Sequence, residues 1–131
     1  MDILHPPGWA PPIGYSNGIA ATGRIVFFAE DAEAWKGRAE TVVLARHETS
    51  PEDIRGMNAS VGFLTAFGGM TSHAALVARQ MGKVAVVGCD ALRFDYHART
   101  MTVQTARGPA TFHEGDWISV DGTAGEILEV R

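Results

Sequence analysis

Apolar, β-branched runs alternate with helix-forming segments through the middle of the chain, and this alternation limits the fold more than any other feature. The runs at residues 41–46 and 84–88 are typical of buried strands. Between them, Ser50 and Pro51 are followed by two carboxylates, which is the signature of a helix start. Beyond residue 100 the pattern becomes β-rich. We therefore predict an α/β fold: a mixed sheet with packed helices and a β-rich C-terminal part.

The same pattern predicts the bounds of individual elements. The predicted helices are 29–36, ended by Gly37, then 51–59 and 71–82. The predicted strands are 23–28, 41–46, 61–66, 84–88, 100–103 and 110–112, with two more in 116–130 around a turn at Asp121-Gly122.

Chain length and proline placement predict one domain preceded by an arm. The 131 residues are enough to bury a core without disulfides. Four of the six prolines lie between Pro6 and Pro12, a stretch that favours extended polyproline II conformation and excludes a helix. We predict a proline-rich arm or linker over residues 1–17 and a folded domain over 18–131.

Composition excludes several classes of protein. Cys89 is the only cysteine, so no intramolecular disulfide can form and a reducing compartment, the cytoplasm, is expected. No run of 18 apolar residues occurs and the start of the chain lacks a signal-peptide pattern, so no membrane association is expected. A net charge of -4 with dispersed basic residues argues against nucleic-acid binding.

The segment over residues 68–83 combines a glycine pair, two hydroxyls and a histidine ahead of an apolar helical stripe. If Thr71 caps this helix, His73 falls in the first turn, where backbone N–H groups have no partner within the helix. That position favours the neutral imidazole, which can attack phosphorus, and the free amides would then hold the phosphoryl group. Gly68 and Gly69 leave room for it and could supply further amides, while Ser72 could donate a hydrogen bond.

Simpler interpretations exist for each of these residues. A histidine near a helix start is usually a surface or capping residue, and Gly68-Gly69 can be only a tight turn. Thr71 can be a cap and nothing more, and Ser72 can merely fill the first turn. The remaining histidines have no metal-ligand spacing, so we expect no metal site. Arg46-His47 is superficially similar to the start of histidine phosphatases, on a match of three residues with Glu48.

Residues 68–83, with Val87-Gly88-Cys89 after them, closely resemble the phosphohistidine signature of the PEP-utilising enzyme family, and Met70 resembles its pyruvate phosphate dikinase branch. Residues 29–35, 48–53 and 114–126 also look like dikinase segments, so the likeness covers about residues 18–130. It implies a swivelling β/β/α domain whose histidine, here His73, shuttles phosphate. Thr71 occupies the position at which plant dikinases are regulated by phosphorylation, although a helix cap remains the preferred interpretation.

The resemblance also implies partners. In this family the histidine moves between an ATP-binding domain and a PEP/pyruvate-binding barrel, and Mg²⁺ is expected only in those partners, with no cofactor in this chain. The 131 residues contain neither a glycine-rich nucleotide loop nor a barrel, so we expect a phosphotransferase component, either a stand-alone carrier or a piece of a longer enzyme. The alternative is a non-catalytic module of the same fold that only docks to a partner protein.

Overall fold

The computed structural model describes residues 2–3, 13–15, 20–68, 72–105, 108–121 and 126–129. Within them are three α-helices: α1 (Ala29–Gly37), α2 (Ile54–Ala59) and α3 (His73–Met81), with a 3₁₀ turn at Pro51–Asp53 leading into α2. The strands of the described residues are β1 (Asp2–Ile3), β2 (Ile13–Tyr15), β3 (Ala21–Val26), β4 (Val42–Arg46), β5 (Gly62–Thr65), β6 (Val84–Val87), β7 (Leu92–Asp95), β8 (Thr100–Thr105), β9 (Gly108–His113), β10 (Trp117–Asp121) and β11 (Glu126–Glu129).

The main sheet has the strand order β1-β11-β10-β3-β4-β5-β6-β2. Its centre, β3 to β6, is parallel, with Leu44 of β4 opposite Phe63 of β5. Each parallel pair needs a crossover, and the three helices lie in these connections. The flanking strands β10 and β2 pair antiparallel with β3 and β6, so the sheet is mixed, as predicted.

Both faces of the parallel strands are covered, which explains their continuous apolar sequences. In β4, Val42 and Leu44 pack in the cluster shared with the helices, whereas Val43 and Ala45 pack in a second cluster with the small sheet. All four are fully buried, and burying a Val or Leu side chain contributes about 1.5–3 kcal/mol. The domain is therefore a three-layer β/β/α arrangement, which confirms the predicted fold class.

The small sheet is antiparallel, in the order β7-β8-β9. Met101 and Val103 of β8 face the main sheet and are buried, while Thr102 lies on the other face. Strand β7 was not predicted, because its segment Leu-Arg-Phe-Asp is only four residues long and two of these residues are charged. Phe94 nevertheless packs edge-on against Phe27, with 6.2 Å between ring centroids.

The predicted start of the second helix is confirmed, with one difference. Ser50 is the N-cap and Pro51 the first residue of the following turn, and the Asp53 carboxylate accepts a hydrogen bond from the Ser50 N–H at 3.0 Å. The first turn, however, is 3₁₀, and the α-helix proper begins at Ile54. Tight first turns of this kind are common at helix starts.

Two short strands come from the predicted arm. Strand β1 pairs with β11 and β2 pairs with β6, so both belong to the main sheet. Residues 4–12, which include the proline-rich stretch, and residues 16–19 lie outside the described residues, so the boundary between arm and domain stays a prediction. None of the helices in the described part of the chain is long and apolar enough to cross a membrane.

Candidate functional site

A pocket of about 600 Å³ lies at the edge of the main sheet where the parallel strands β4, β5 and β6 end. In open α/β sheets, ligands bind at this carboxyl edge. Backbone hydrogen bonds continue beyond the strands and shape the pocket, as between Phe67 N–H and the His47 carbonyl at 2.8 Å. The lining residues are Glu48, Thr49, Ala66, Phe67, Gly68, Ser72, His73, Ala74, Gly88 and Asp90.

His73 is the first residue of α3, and its half-buried side chain lines this pocket. Its Nδ1 lies 3.2 Å from Oγ1 of Thr49, within hydrogen-bond distance. Because Ala74, Ala75, Val77 and Ala78 are buried in the core between helix and sheet, the first turn is anchored against the sheet. The histidine is thus oriented through one ring nitrogen while its side chain lines the pocket.

Thr49 is a site residue that the sequence analysis missed. It is buried and follows β4, 24 positions before His73 in the sequence. The contact forms because the loops after β4 and β5 meet at one sheet edge, and no local spacing reports that. The available clue was the dikinase-like segment 48–53, in which Thr49 follows Glu48.

The N-cap of α3 is Ser72, which corrects our prediction of Thr71. The Ser72 carbonyl accepts the first helical hydrogen bond, from Leu76 N–H at 3.0 Å, and its hydroxyl accepts one from Ala75 N–H at 3.4 Å. The cap thus lies one residue later than predicted, which makes His73 the first residue of the helix, beside the amides that have no partner within it. Thr71 and Gly69 lie outside the described residues, so their predicted phosphate contacts stay predictions.

Two glycines give the pocket its shape. Gly68 has φ of +118°, and a Cβ there would approach the Ser72 Cβ to 2.8 Å. Gly88 has φ of +72°, and a Cβ on it would lie 2.6 Å from the Gly68 carbonyl oxygen. Both positions therefore require glycine on conformational and steric grounds. We predicted Gly68 as a site residue, whereas Gly88 was only the end of a strand.

Cys89 is the buried nucleophile of this region. Its side chain packs between the two sheets, and burial is the main reason that the pKa of its thiol is raised to about 12. The neighbouring Asp90 carboxylate raises it further. Because the thiolate is the reactive form, the buried Cys89 thiol is unsuited to nucleophilic chemistry in the folded chain.

Residues 38–125 match the family model described as PEP-utilising enzyme, mobile domain. The chain belongs to this family. Membership confirms the resemblance, and His73, Thr49 and both pocket glycines lie within the matched residues. Within the described part of the mobile domain, no group of three or more His, Cys, Asp or Glu side chains could hold a metal ion.

The mobile domain is also similar to one region of much longer proteins. It is 44% identical to pyruvate, phosphate dikinase 1, chloroplastic, of Arabidopsis thaliana, over 98% of this chain and 14% of the relative. The corresponding protein of Zea mays is 42% identical, with the same coverage. An NMR solution structure of Enzyme I is 31% identical over 68% of this chain and 30% of that chain, with a TM-score of 0.46. The family match and the likeness to the dikinases support a phosphotransfer domain, and the chain spans about one-seventh of the dikinases it matches.

Proposed function

We propose that this domain is a phosphocarrier that accepts a phosphoryl group on His73 and passes it on in a pyruvate phosphate dikinase-like reaction. The observation that carries the proposal is the placement of His73: first residue of α3, in a pocket at the carboxyl edge of the sheet, with one ring nitrogen 3.2 Å from Thr49. Such a histidine offers its other nitrogen, Nε2, to an incoming phosphorus.

The tautomer determines which nitrogen reacts. When Nδ1–H donates to Thr49 Oγ1, Nε2 keeps its lone pair and can form the bond to phosphorus. As that bond forms, the bond between phosphorus and the enol oxygen of PEP breaks, and the enolate leaves to take up a proton as pyruvate. Positive charge develops on the ring, and Thr49 stabilises it because a charged donor makes a stronger hydrogen bond. Thr49 thus orients the ring before transfer and stabilises it afterwards.

The start of α3 provides the second half of the chemistry. Its first turn contains no acidic residue, so nothing in the helix neutralises the positive end of its dipole. Unpaired amides at a helix start are a ready site for a phosphoryl dianion. In this proposal those amides hold the phosphoryl group while it stays on His73, with Ser72, Thr71, Gly68 and Gly69 around it.

The donor and acceptor lie on other domains. The resemblance implies an ATP-binding domain and a PEP/pyruvate-binding barrel, in trans or in a longer parent chain, between which this domain swivels. Mg²⁺ would act in those partners. The cytoplasm remains the proposed compartment, although the dikinases of Arabidopsis thaliana and Zea mays named above are chloroplastic.

The test is to incubate the chain with radiolabelled PEP and the PEP-binding barrel domain of a dikinase, and to measure the phosphorylation of the chain. We expect an acid-labile, alkali-stable label on the wild-type chain and on the His97→Ala control, since His97 is exposed in the turn after β7. His73→Ala should lose the label entirely. A label that persists in His73→Ala would overturn the assignment.

The alternative function is a docking module that only binds a partner protein. Such a module would bind the barrel domain but would not be labelled, either by PEP with the barrel domain or by ATP with the ATP-binding domain. The pocket argues against it, because a docking surface does not need an imidazole oriented by a hydrogen bond within a pocket.

A further inference from the structure

The described lining of the pocket around His73 contains acidic side chains but no lysine or arginine to match them. The acidic residues are Glu48 and Asp90. Both residues are exposed, and neither carboxylate forms an ion pair within the described part of the chain. The nearby Arg93 guanidinium donates to the backbone carbonyls of Asp90 and Leu92 instead.

Phosphorylation of His73 would increase this imbalance. A phosphoryl group adds up to about two negative charges near neutral pH, next to two carboxylates that are already unpaired. Helix amides supply only partial positive charge, equivalent to about half an elementary charge. The compensating cations must therefore come from whatever binds over the pocket.

An aromatic side chain stands on the same rim. Phe67 lines the pocket and is 61% exposed, the most exposed large apolar residue described. It is nevertheless held in place, because its ring stacks on that of His47 with centroids 5.9 Å apart and planes at 13°. The backbone N–H of His47 is in turn bonded to the Tyr96 hydroxyl at 2.6 Å. A rigid exposed aromatic loses little entropy on binding and is typical of an interface anchor.

From these observations we infer that the rim formed by Glu48, Phe67 and Asp90 is a docking surface for a cationic phosphate-binding cleft on the PEP-binding barrel domain. Its occupant is a cleft with lysine or arginine side chains around its phosphate site and an apolar contact for Phe67. The inference rests on the proposed function, and it assigns recognition to rim residues that do not take part in the transfer itself. Charge complementarity at such a rim acts mainly on association rate and its salt dependence.

The charge component is tested with Glu48→Gln/Asp90→Asn, which removes two charges at nearly constant shape. The matched control is Glu30→Gln/Glu33→Gln, the same charge change on α1. We measure phosphotransfer from PEP against barrel-domain concentration, at low and high salt. The rim variant should raise KM for the barrel about tenfold at low salt and flatten the salt dependence, while the control stays near wild type.

The aromatic component is tested with Phe67→Ala, and the control is Val61→Ala. Val61 is also exposed, at 37%, but it precedes β5 and so lies at the opposite end of that strand. Phe67→Ala should raise KM for the barrel about tenfold at all salt concentrations, with thermal unfolding unchanged because the ring is exposed. Val61→Ala should leave KM unchanged.

The outcomes separate this inference from the proposed function. A wild-type chain that takes no label refutes the carrier proposal; the rim is then tested by calorimetric titration of the same variants with the barrel domain. A chain that is labelled normally, with KM equal in rim variants and controls, refutes the rim alone. If KM depends on salt equally in the wild type and in Glu48→Gln/Asp90→Asn, the charge component of the rim is refuted.

Discussion

The start of α3 and the start of the turn leading into α2 lie at the same edge of the sheet, and each is capped by a serine. They differ in whether a carboxylate lies beside the backbone amides of the first turn. At the α2 side, Ser50 is followed by Glu52 and Asp53, and the Asp53 carboxylate accepts from the Ser50 N–H. At α3, Ser72 is followed by His73 and no acidic residue in the first turn. We call the first start closed, because a carboxylate neutralises it internally, and the second open, because only the Ser72 hydroxyl caps it and no carboxylate does.

This difference shows how one local structure serves either stability or function. An internal carboxylate satisfies amides permanently and makes the first start a structural element. An open start keeps the same favourable potential for a group that arrives and departs. In the proposed function the histidine beside the open start supplies the covalent attachment, and Thr49, which immediately precedes Ser50, contacts its ring and orients it. The closed start thereby positions a residue that serves the open one.

The largest expected effect comes from closing the open start with a carboxylate. Ser72→Asp keeps a good cap but places a negative charge beside His73, so labelling from PEP should slow on the order of a hundredfold, or about 3 kcal/mol. Ser72→Asn has the same shape and also caps, so it serves as the neutral control. Equal labelling rates for the two variants would show that the phosphoryl group does not approach this helix start.

A smaller effect is expected from disturbing the glycine contact that shapes the open start. Gly88→Ala should lower the free energy of unfolding by about 2 kcal/mol, because φ is +72° and the new Cβ would meet the Gly68 carbonyl. Gly37→Ala is the control, since nothing lies within 4 Å of a Cβ there. Chemical denaturation measures both. Unchanged stability in Gly88→Ala would mean that the Gly68 carbonyl does not lie in close contact with residue 88.

The smallest effect concerns the closed start. Asp53→Ala removes the carboxylate that accepts from the Ser50 N–H, so thermal unfolding should show a loss of about 1 kcal/mol. Phosphorylation of the folded variant should be unaffected, because this start holds no ligand in our account. A large loss of labelling at normal stability would contradict the division between the two starts.

The sequence predicted the layered fold because the responsible patterns are local. The runs at 41–46 and 84–88 are apolar on both faces, as a strand covered by helices and by a second sheet must be. Strand β7 was not predicted because its apolar–charged alternation, Leu92 to Asp95, covers only four residues. Its place in the fold comes from pairing with β8, which is a tertiary contact.

The place of His73 at a helix start was predicted from the sequence, whereas its contacts with other loops were not. His73 follows from a helix-start pattern, but Thr71 and Ser72 are adjacent hydroxyls, and spacing alone cannot tell which of them caps. Thr49 and Gly88 reach the site from other loops, so their roles depend on strand order. All of these positions lie within the residues that match the family model.

The most direct measurement is phosphorus and nitrogen NMR of the uniformly ¹⁵N-labelled chain after transfer from PEP. Because Thr49 Oγ1 lies at Nδ1, we expect a single phosphoryl group bonded to Nε2 of His73. A phosphoryl group on Nδ1, or on any other residue, would contradict the account.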